Sequence, residues 1–306
     1  MNYDLIIIGA GPAALTASIY ASRYKINHVV IGQNSGGMMS EAHMVANWPG
    51  EKLISGFDLG IKMKEHAESF GAKIIAAKIN EIKKNDNLFT VIAGDNEYSA
   101  ATVLLATGTI HHHLGLANEN KYLGHGLSYC ATCDAMFFRN KTVAVIGGGN
   151  SALTAALHLA EVSPKVYLIV RKSEFRGEPA WIENVKNNDK IEVIFSTNVL
   201  EMSGETKLEG IKLDKEFNGS DQLAIDGLFV EIGSSPETEM LDALEIEIDE
   251  QNYIKVGADQ ATNVTGVYAA GDVTNGSNRL HQIITACAEG AVAAGAIFQY
   301  LKKIKA

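Results

Sequence analysis

An α/β protein of two parallel-sheet lobes, the second inserted into the first, is the fold this sequence predicts. Three observations predict it. A short β-branched strand at 5–8, a glycine-rich turn, an apolar helix and a strand at 28–31 recur far downstream, from 142–146 through 166–170. Both turns lie between a strand and a helix, which makes each repeat a βαβ unit of a parallel sheet. No Pro/Ser-rich linker or low-complexity segment separates the lobes, and the pattern changes again from Asn252. The expected domains are therefore 1–114 with 247–306, and an inserted 115–246.

The first turn reads Gly9-Ala10-Gly11-Pro12-Ala13-Ala14 and leads into an apolar stretch reaching Tyr24. Glycines there let the backbone approach a pyrophosphate, whose charge then sits at a helix N-terminus. A single match is weak, because a tight turn without any ligand has the same appearance. The second turn, Gly147-Gly148-Gly149-Asn150-Ser151-Ala152, stands in the same context before a helix at 153–161. Together they point to two dinucleotides, one per lobe, in Rossmann-like domains of the three-layer ββα type. Further strands are expected at 89–93 and 102–105 in the first lobe, and at 211–213 and 228–232 in the second. Toward the C-terminus, a strand at 267–269, the pair Gly271-Asp272 and a long apolar helix from about 282 to 301 complete the first lobe.

The residues after each second strand bear on which dinucleotide binds. An NAD site usually places an acidic residue there for the ribose 2′-hydroxyl. The second lobe has Val170-Arg171-Lys172-Ser173-Glu174-Phe175-Arg176 instead, three cations that suit a 2′-phosphate and hence NADPH. A solvated basic face is the alternative for this cluster, diluted as it is by Glu174. The first lobe has Gly32-Gln33-Asn34-Ser35-Gly36-Gly37, with no carboxylate. Its cofactor is read from Gly271-Asp272: a carboxylate there can hold a ribityl hydroxyl, and the next helix aims its positive end at a reduced, anionic flavin. Taken alone, Asp272 reads better as an N-terminal turn or cap residue. Beside Ala106-Thr107-Gly108 and the first turn, FAD is the better reading.

Bulk composition narrows the class. The chain has 306 residues, 46% hydrophobic and 20% charged, as in globular proteins with a sizeable core. A net charge of -10 disfavours nucleic acid and anionic lipid as partners. No apolar stretch is expected to reach a membrane-spanning length, and the N-terminus has no basic and apolar leader, so a cytoplasmic location is expected.

Cys130-Ala131-Thr132-Cys133-Asp134 carries the chemistry. Two cysteines separated by two residues can close a small disulfide ring, and the spacing lowers one thiol's pKa from about 8.5 toward 7. Asp134 is the adjacent candidate acid/base. The alternatives are a pair of buried thiols and a zinc half-site, the latter with His111, His112 and His113 as possible partners. A structural zinc site needs four ligands, however, and there is no second Cys-x-x-Cys, so no metal is expected. Cys287, among alanines in the last helix, reads as a small core residue.

Over nearly its whole length the chain resembles the low-molecular-weight thioredoxin reductases. The resemblance rests on Gly9 to Ala14, Asn47-Trp48-Pro49-Gly50, Ala106-Thr107-Gly108, Cys130 to Asp134, Gly147 to Ala152, and Gly266-Val267-Tyr268-Ala269-Ala270-Gly271-Asp272-Val273. It implies FAD in the lobe made by both chain ends, held by Gly9, Gly11, Pro12, Ala13, Gly36, Gly37, Asn47, Thr107, Gly108, Gly271, Asp272, Gln282 and Ile283. It implies NADPH in the inserted lobe, on Gly147, Gly149, Asn150, Ser151, Arg171, Lys172 and Arg176. It further implies a homodimer, a thioredoxin-like protein partner, and rotation of the inserted lobe about hinges near 113–116 and 244–248. Cys133 would face the flavin, Cys130 would attack the partner's disulfide, and Asp134 would serve as acid/base. Val170-Arg171-Lys172 stands where the family has His-Arg-Arg, Met38-Met39 replaces Gln-Leu, and His281 replaces an Arg. Those departures leave relatives fed by ferredoxin or a deazaflavin, and dithiol oxidases, as alternatives, while the intact Gly147-x-Gly149 turn argues for a nicotinamide donor.

Overall fold

Alternation in the first seven described residues sets the layering of the first unit. Strand β1 (Asn2–Ile8) sends Leu5 and Ile7 into one core cluster and Ile6 and Ile8 into another. A strand buried on both faces reads as a continuous apolar run, as the central strand of a covered parallel sheet does. This computed structural model describes residues 2–85, 88–236 and 238–305. The chain forms two compact units: Met1–Ser40, Met44–Ile110 and Ser235–Ala306 make one, Glu41–His43 and His111–Ser234 the other. The chain thus changes unit ahead of both boundaries expected from sequence.

The first unit adds β2 (His28–Ile31), β3 (Lys73–Ile75), β4 (Ile79–Asn85), β5 (Leu88–Ala93), β6 (Asn96–Leu105) and a late strand, β17 (Val267–Ala269). Sheet order is β3-β2-β1-β6-β5-β4, with β17 also on β6. The ten-residue β6 divides one edge between two partners: its first half pairs antiparallel with β5, its last three residues parallel with β17. The β4–β5 hairpin thereby becomes a separate layer, and the parallel strands are left open to helices on the other face. Helices α1 (Pro12–Arg23) and α7 (Ile283–Lys305) supply that face, packing Ala14, Ala17, Ala293, Ala294 and Ile297 against Leu5, Ile7 and Leu104. The remaining helix of the unit, α2 (Gly56–Ser69), is capped by Ser55, whose Oγ accepts from Asp58 N at 3.0 Å.

By length and composition α7 could cross a membrane, which corrects the expectation that no stretch comes near that length. Its buried face on α1 and its buried Glu289 account for its composition within this unit.

The second unit repeats the plan. Strands β8 (Leu127–Ser128), β9 (Thr142–Ile146), β10 (Lys165–Val170), β11 (Ile191–Phe195) and β15 (Gly227–Val230) form a parallel sheet in the order β11-β10-β9-β15-β8. An antiparallel sheet of β12 (Val199–Ser203), β13 (Gly210–Phe217) and β14 (Ser220–Ala224) belongs to the same unit. Its helices are the short α3 (Glu119–Tyr122) and α4 (Ala131–Asp134), then α5 (Asn150–Val162) and α6 (Pro179–Lys186). The chain enters and leaves this unit along β7 (Thr109–His111) and β16 (Ser234–Pro236), which pair with each other.

Candidate active site

In the second unit, Cys130 and Cys133 are joined as a disulfide with Cα atoms 5.3 Å apart. Cys130 is the N-cap of α4, and its sulfur accepts from Cys133 N at 3.1 Å. Helix geometry therefore sets the pair's spacing. Buried Ser128 fixes the approach: its hydroxyl accepts from Cys130 N at 3.0 Å and donates to Cys130 O at 3.2 Å. Thr132 Oγ1 donates to the carbonyl of Glu41. Cys133 is exposed and Cys130 half-buried. A cavity of about 310 Å³ is lined by Cys130, Asp134, Glu41, His111 and Tyr129, among others, so the expected nucleophile and acid/base share one space.

That space is electrostatically structured. His111 Nε2 lies 2.7 Å from Glu41 Oε2, and the hydrogen bond to Glu41 raises the His111 pKa against the opposing effect of burial. Nearby Glu231 has its carboxyl pushed up to about 7, chiefly by burial, with His111 pulling the other way. Of the three consecutive histidines, His111 pairs with Glu41, while His113 Nδ1 lies 3.4 Å from Glu119.

Each unit carries one glycine turn, and the two turns match in backbone geometry. Gly11 caps α1 at φ -82°, ψ -172°, and Gly149 caps α5 at φ -96°, ψ -176°. Neither helix has a side-chain cap or an acidic residue in its first turn. Among the described residues, both helices thus present first-turn backbone N–H groups with no side-chain cap, as a phosphate site requires. The glycines divide into two kinds. A Cβ on Gly9 would strike Ala106 O at 2.1 Å, and one on Gly147 would strike Glu231 O at 2.2 Å, so protein packing demands these two. A Cβ on Gly149 would meet nothing within 4 Å, and one on Gly11 only backbone at 3.9 Å. The room these two leave is room for something other than protein, which fits a dinucleotide in each unit.

In the first unit the expected cofactor residues converge. Gly36 N donates to Ala10 O at 2.8 Å, and a Cβ on Gly37 would sit 3.2 Å from the Cα of Gly11. Gly271, at φ +83°, packs where a Cβ would come within 3.0 Å of Ala13. Asn47 Nδ2 donates to Gln282 Oε1 at 2.9 Å across 235 positions of sequence. Buried Thr107 Oγ1 and His281 Nε2 have no hydrogen-bond partner among the described residues. Such orphans are costly in a finished fold and suit a polar ligand. Asp272 is largely buried, and its pKa is raised by burial while His281 opposes.

Sequence reasoning missed the residue that holds this loop. Buried Glu289 of α7 accepts from Gly271 N at 2.7 Å and from Thr274 Oγ1 at 3.1 Å. A lone carboxylate in a helix of alanines and glycines was the available signal. In the second unit, Asn150 is engaged elsewhere than at an open cradle: its Oδ1 accepts from Glu178 N at 2.7 Å and its Nδ2 donates to Glu178 Oε1 at 3.0 Å. This clamp and the bond from Arg176 N to Gly148 O, at 2.7 Å, fold the basic loop back onto the second turn. Arg171, Lys172 and Arg176 are exposed and make no ion pair among the described residues. Ser151 is exposed at the start of α5.

Comparison with known proteins agrees with this geometry. The thioredoxin reductase of Treponema pallidum (strain Nichols) is 39% identical over 307 residues, covering 99% of each chain. Among solved structures, Lactococcus lactis thioredoxin reductase (FR conformation) matches with TM-score 0.93 at 31% identity, covering 98% of this chain and 99% of that one. The T. acidophilum thioredoxin reductase matches with TM-score 0.92 at 36% identity, covering 99% of both. The model of the pyridine nucleotide-disulphide oxidoreductases matches residues 3–290, and the chain belongs to that family.

Proposed function

We propose that this chain is a flavin-dependent thioredoxin-disulfide reductase. One observation carries the reading: a Cys130–Cys133 disulfide capping its own short helix, in the unit that also bears the second glycine turn. When bound, FAD and NADPH supply the two electrons that open this disulfide. Gly9, Gly11, Pro12, Ala13, Gly36, Gly37, Asn47, Thr107, Gly108, Gly271, Asp272, Gln282 and Ile283 would hold the flavin dinucleotide. Gly147, Gly149, Asn150, Ser151, Arg171, Lys172 and Arg176 would hold the nicotinamide dinucleotide, with the three cations on its 2′-phosphate.

The protein's own part is thiol–disulfide exchange. Two electrons and two protons convert the disulfide to a dithiol. Cys130 attacks the partner's disulfide as a thiolate, and one partner sulfur leaves as a thiolate that takes up a proton. Cys133 then attacks the mixed disulfide, restoring the Cys130–Cys133 bond and releasing the partner as a dithiol. Asp134, in the cavity with Cys130, moves the protons. Exposed Met136 (58%) and Phe137 (72%) beside the pair offer the apolar contact a protein acceptor needs. A cytoplasmic homodimer completes the proposal.

Anaerobic titration of the FAD-loaded protein, following the flavin band, tests the donor. Bleaching at low excess of NADPH and only at high excess of NADH is the expected result; no bleaching by either, with normal bleaching by dithionite, would replace the nicotinamide donor with ferredoxin or a deazaflavin. Cys130→Ser should abolish thioredoxin reduction and leave flavin bleaching intact. Loss of bleaching instead would exchange the roles of the two cysteines.

A further inference from the structure

We propose that His43, His158 and Glu161 form a binding site for a divalent transition metal of the zinc class. All three belong to the second unit, His43 through the short segment Glu41–His43. His158 and Glu161 stand one turn apart on α5 and share a face. His43 Nε2 lies 3.6 Å from one oxygen of Glu161, and His158 Nδ1 lies 3.5 Å from the other. Ligand atoms at the corners of a tetrahedron around zinc, with bonds of 2.0–2.1 Å, are about 3.4 Å apart. The two spacings are therefore those of a coordination shell, and all three donor atoms fall within 4.8 Å of one another.

A second observation is independent of these distances. The His158 side chain is only 9% exposed, and its Nδ1 has no hydrogen-bond partner among the described residues. The facing Glu161 oxygen lies 3.5 Å away, longer than a hydrogen bond of ordinary length. A buried ring nitrogen without a partner costs free energy that a metal bond would recover.

The rings of His43 and His158 are stacked, with centroids 3.4 Å apart and planes 18° from parallel. A shared ion requires the two rings to fan apart about Glu161, and His43 is the more exposed of the two. Glu161 is 60% exposed, so the fourth position opens to water. The sequence does not reveal the site, because His43 is separated from the other two ligands by more than a hundred residues and no spacing motif joins them. The bound ion would fasten the 41–43 segment to α5. That segment already meets the redox helix through Glu41 and Thr132.

Calorimetric titration of the full-length, FAD-loaded, oxidised protein with ZnCl2 tests the proposal. With the cysteine pair closed as a disulfide, no thiolate of that pair competes for the ion. One equivalent per chain, reversed by EDTA, is expected. His43→Ala and Glu161→Gln should each weaken binding at least about tenfold, the lower end of what outer-shell changes alone cost. Both positions are partly exposed, so the melting temperature in EDTA should match the parent and separate lost ligation from lost fold. Absence of saturable uptake, or uptake unchanged in both variants, would overturn the site.

Discussion

Single carboxylates do much of the organising work, and Glu289 shows how. It is buried on α7 and anchors Gly271 N and Thr274 Oγ1, so the loop carrying Asp272 is held from below. Replacing it with Ala leaves Gly271 N unpaired, at about 1–3 kcal/mol for a buried group, while Thr274 Oγ1 keeps Gly271 O at 3.0 Å. Glu289→Ala should lower the melting temperature and weaken FAD retention, with Glu289→Gln intermediate; equilibrium dialysis of the flavin checks this, and unchanged retention would limit Glu289 to stability. Glu231 acts through its proton. Its folded-state pKa of about 7 lies above the ordinary 4.5, so the folded protein binds that proton more tightly than the unfolded chain does. The stability it confers is full below about pH 4.5 and is lost as pH rises to about 7. Glu231→Gln should therefore melt above the parent at pH 8, with the gap closing toward pH 5. A gap independent of pH would show that Glu231 is not protonated in the fold.

At the scale of elements, the two glycine turns allow packing and ligand binding to be tested separately. Gly147 sits at φ +147° with Glu231 O where a Cβ would go, so Gly147→Ala should cost several kcal/mol and register as lost expression or a lowered melting temperature. Gly149 has ordinary backbone angles and open space, so Gly149→Ala should leave stability within about 0.5 kcal/mol. Its cost should fall on the KM for NADPH, about tenfold or more; an unchanged KM would remove the pyrophosphate from this turn. Both turns were legible in the sequence, because strand, glycines and helix are contiguous and each obeys local rules. The cysteine pair was legible for the same reason. Ser128, Glu289 and the Asn150–Glu178 clamp were not, since their roles depend on partners brought together by the fold. Asn47 and Gln282 were named through family resemblance, yet nothing local predicts their bond across 235 positions.

At the scale of the whole molecule, insertion of one unit into another was visible as a repeated motif and the absence of a linker. The points of crossing were less visible, because β7 and β16 continue smoothly from the strands and loops around them. The core makes the division physical. Two apolar clusters of the second unit, one around Leu153, Leu159 and Phe229 and the other around Ile169, Ile211 and Leu228, draw all their members from residues 114–230. The ends of the inserted segment are also tied to each other, with His112 N donating to Gly233 O at 2.9 Å. A segment with a complete core and adjacent ends is what an independent domain requires. Residues 111–234, expressed alone, should therefore melt cooperatively, with stability on the order of 5–10 kcal/mol. The fragment should keep the Cys130–Cys133 disulfide and bind NADPH through Gly149 and the basic loop. Lacking the first glycine turn, it should not be reduced by NADPH. Lacking His43, it should also bind zinc at least about tenfold more weakly than the full chain. Circular dichroism melting and nucleotide titration of the fragment provide the check. A non-cooperative melt would mean that Glu41–His43, the only part of the second unit outside the insert, is needed to complete its fold.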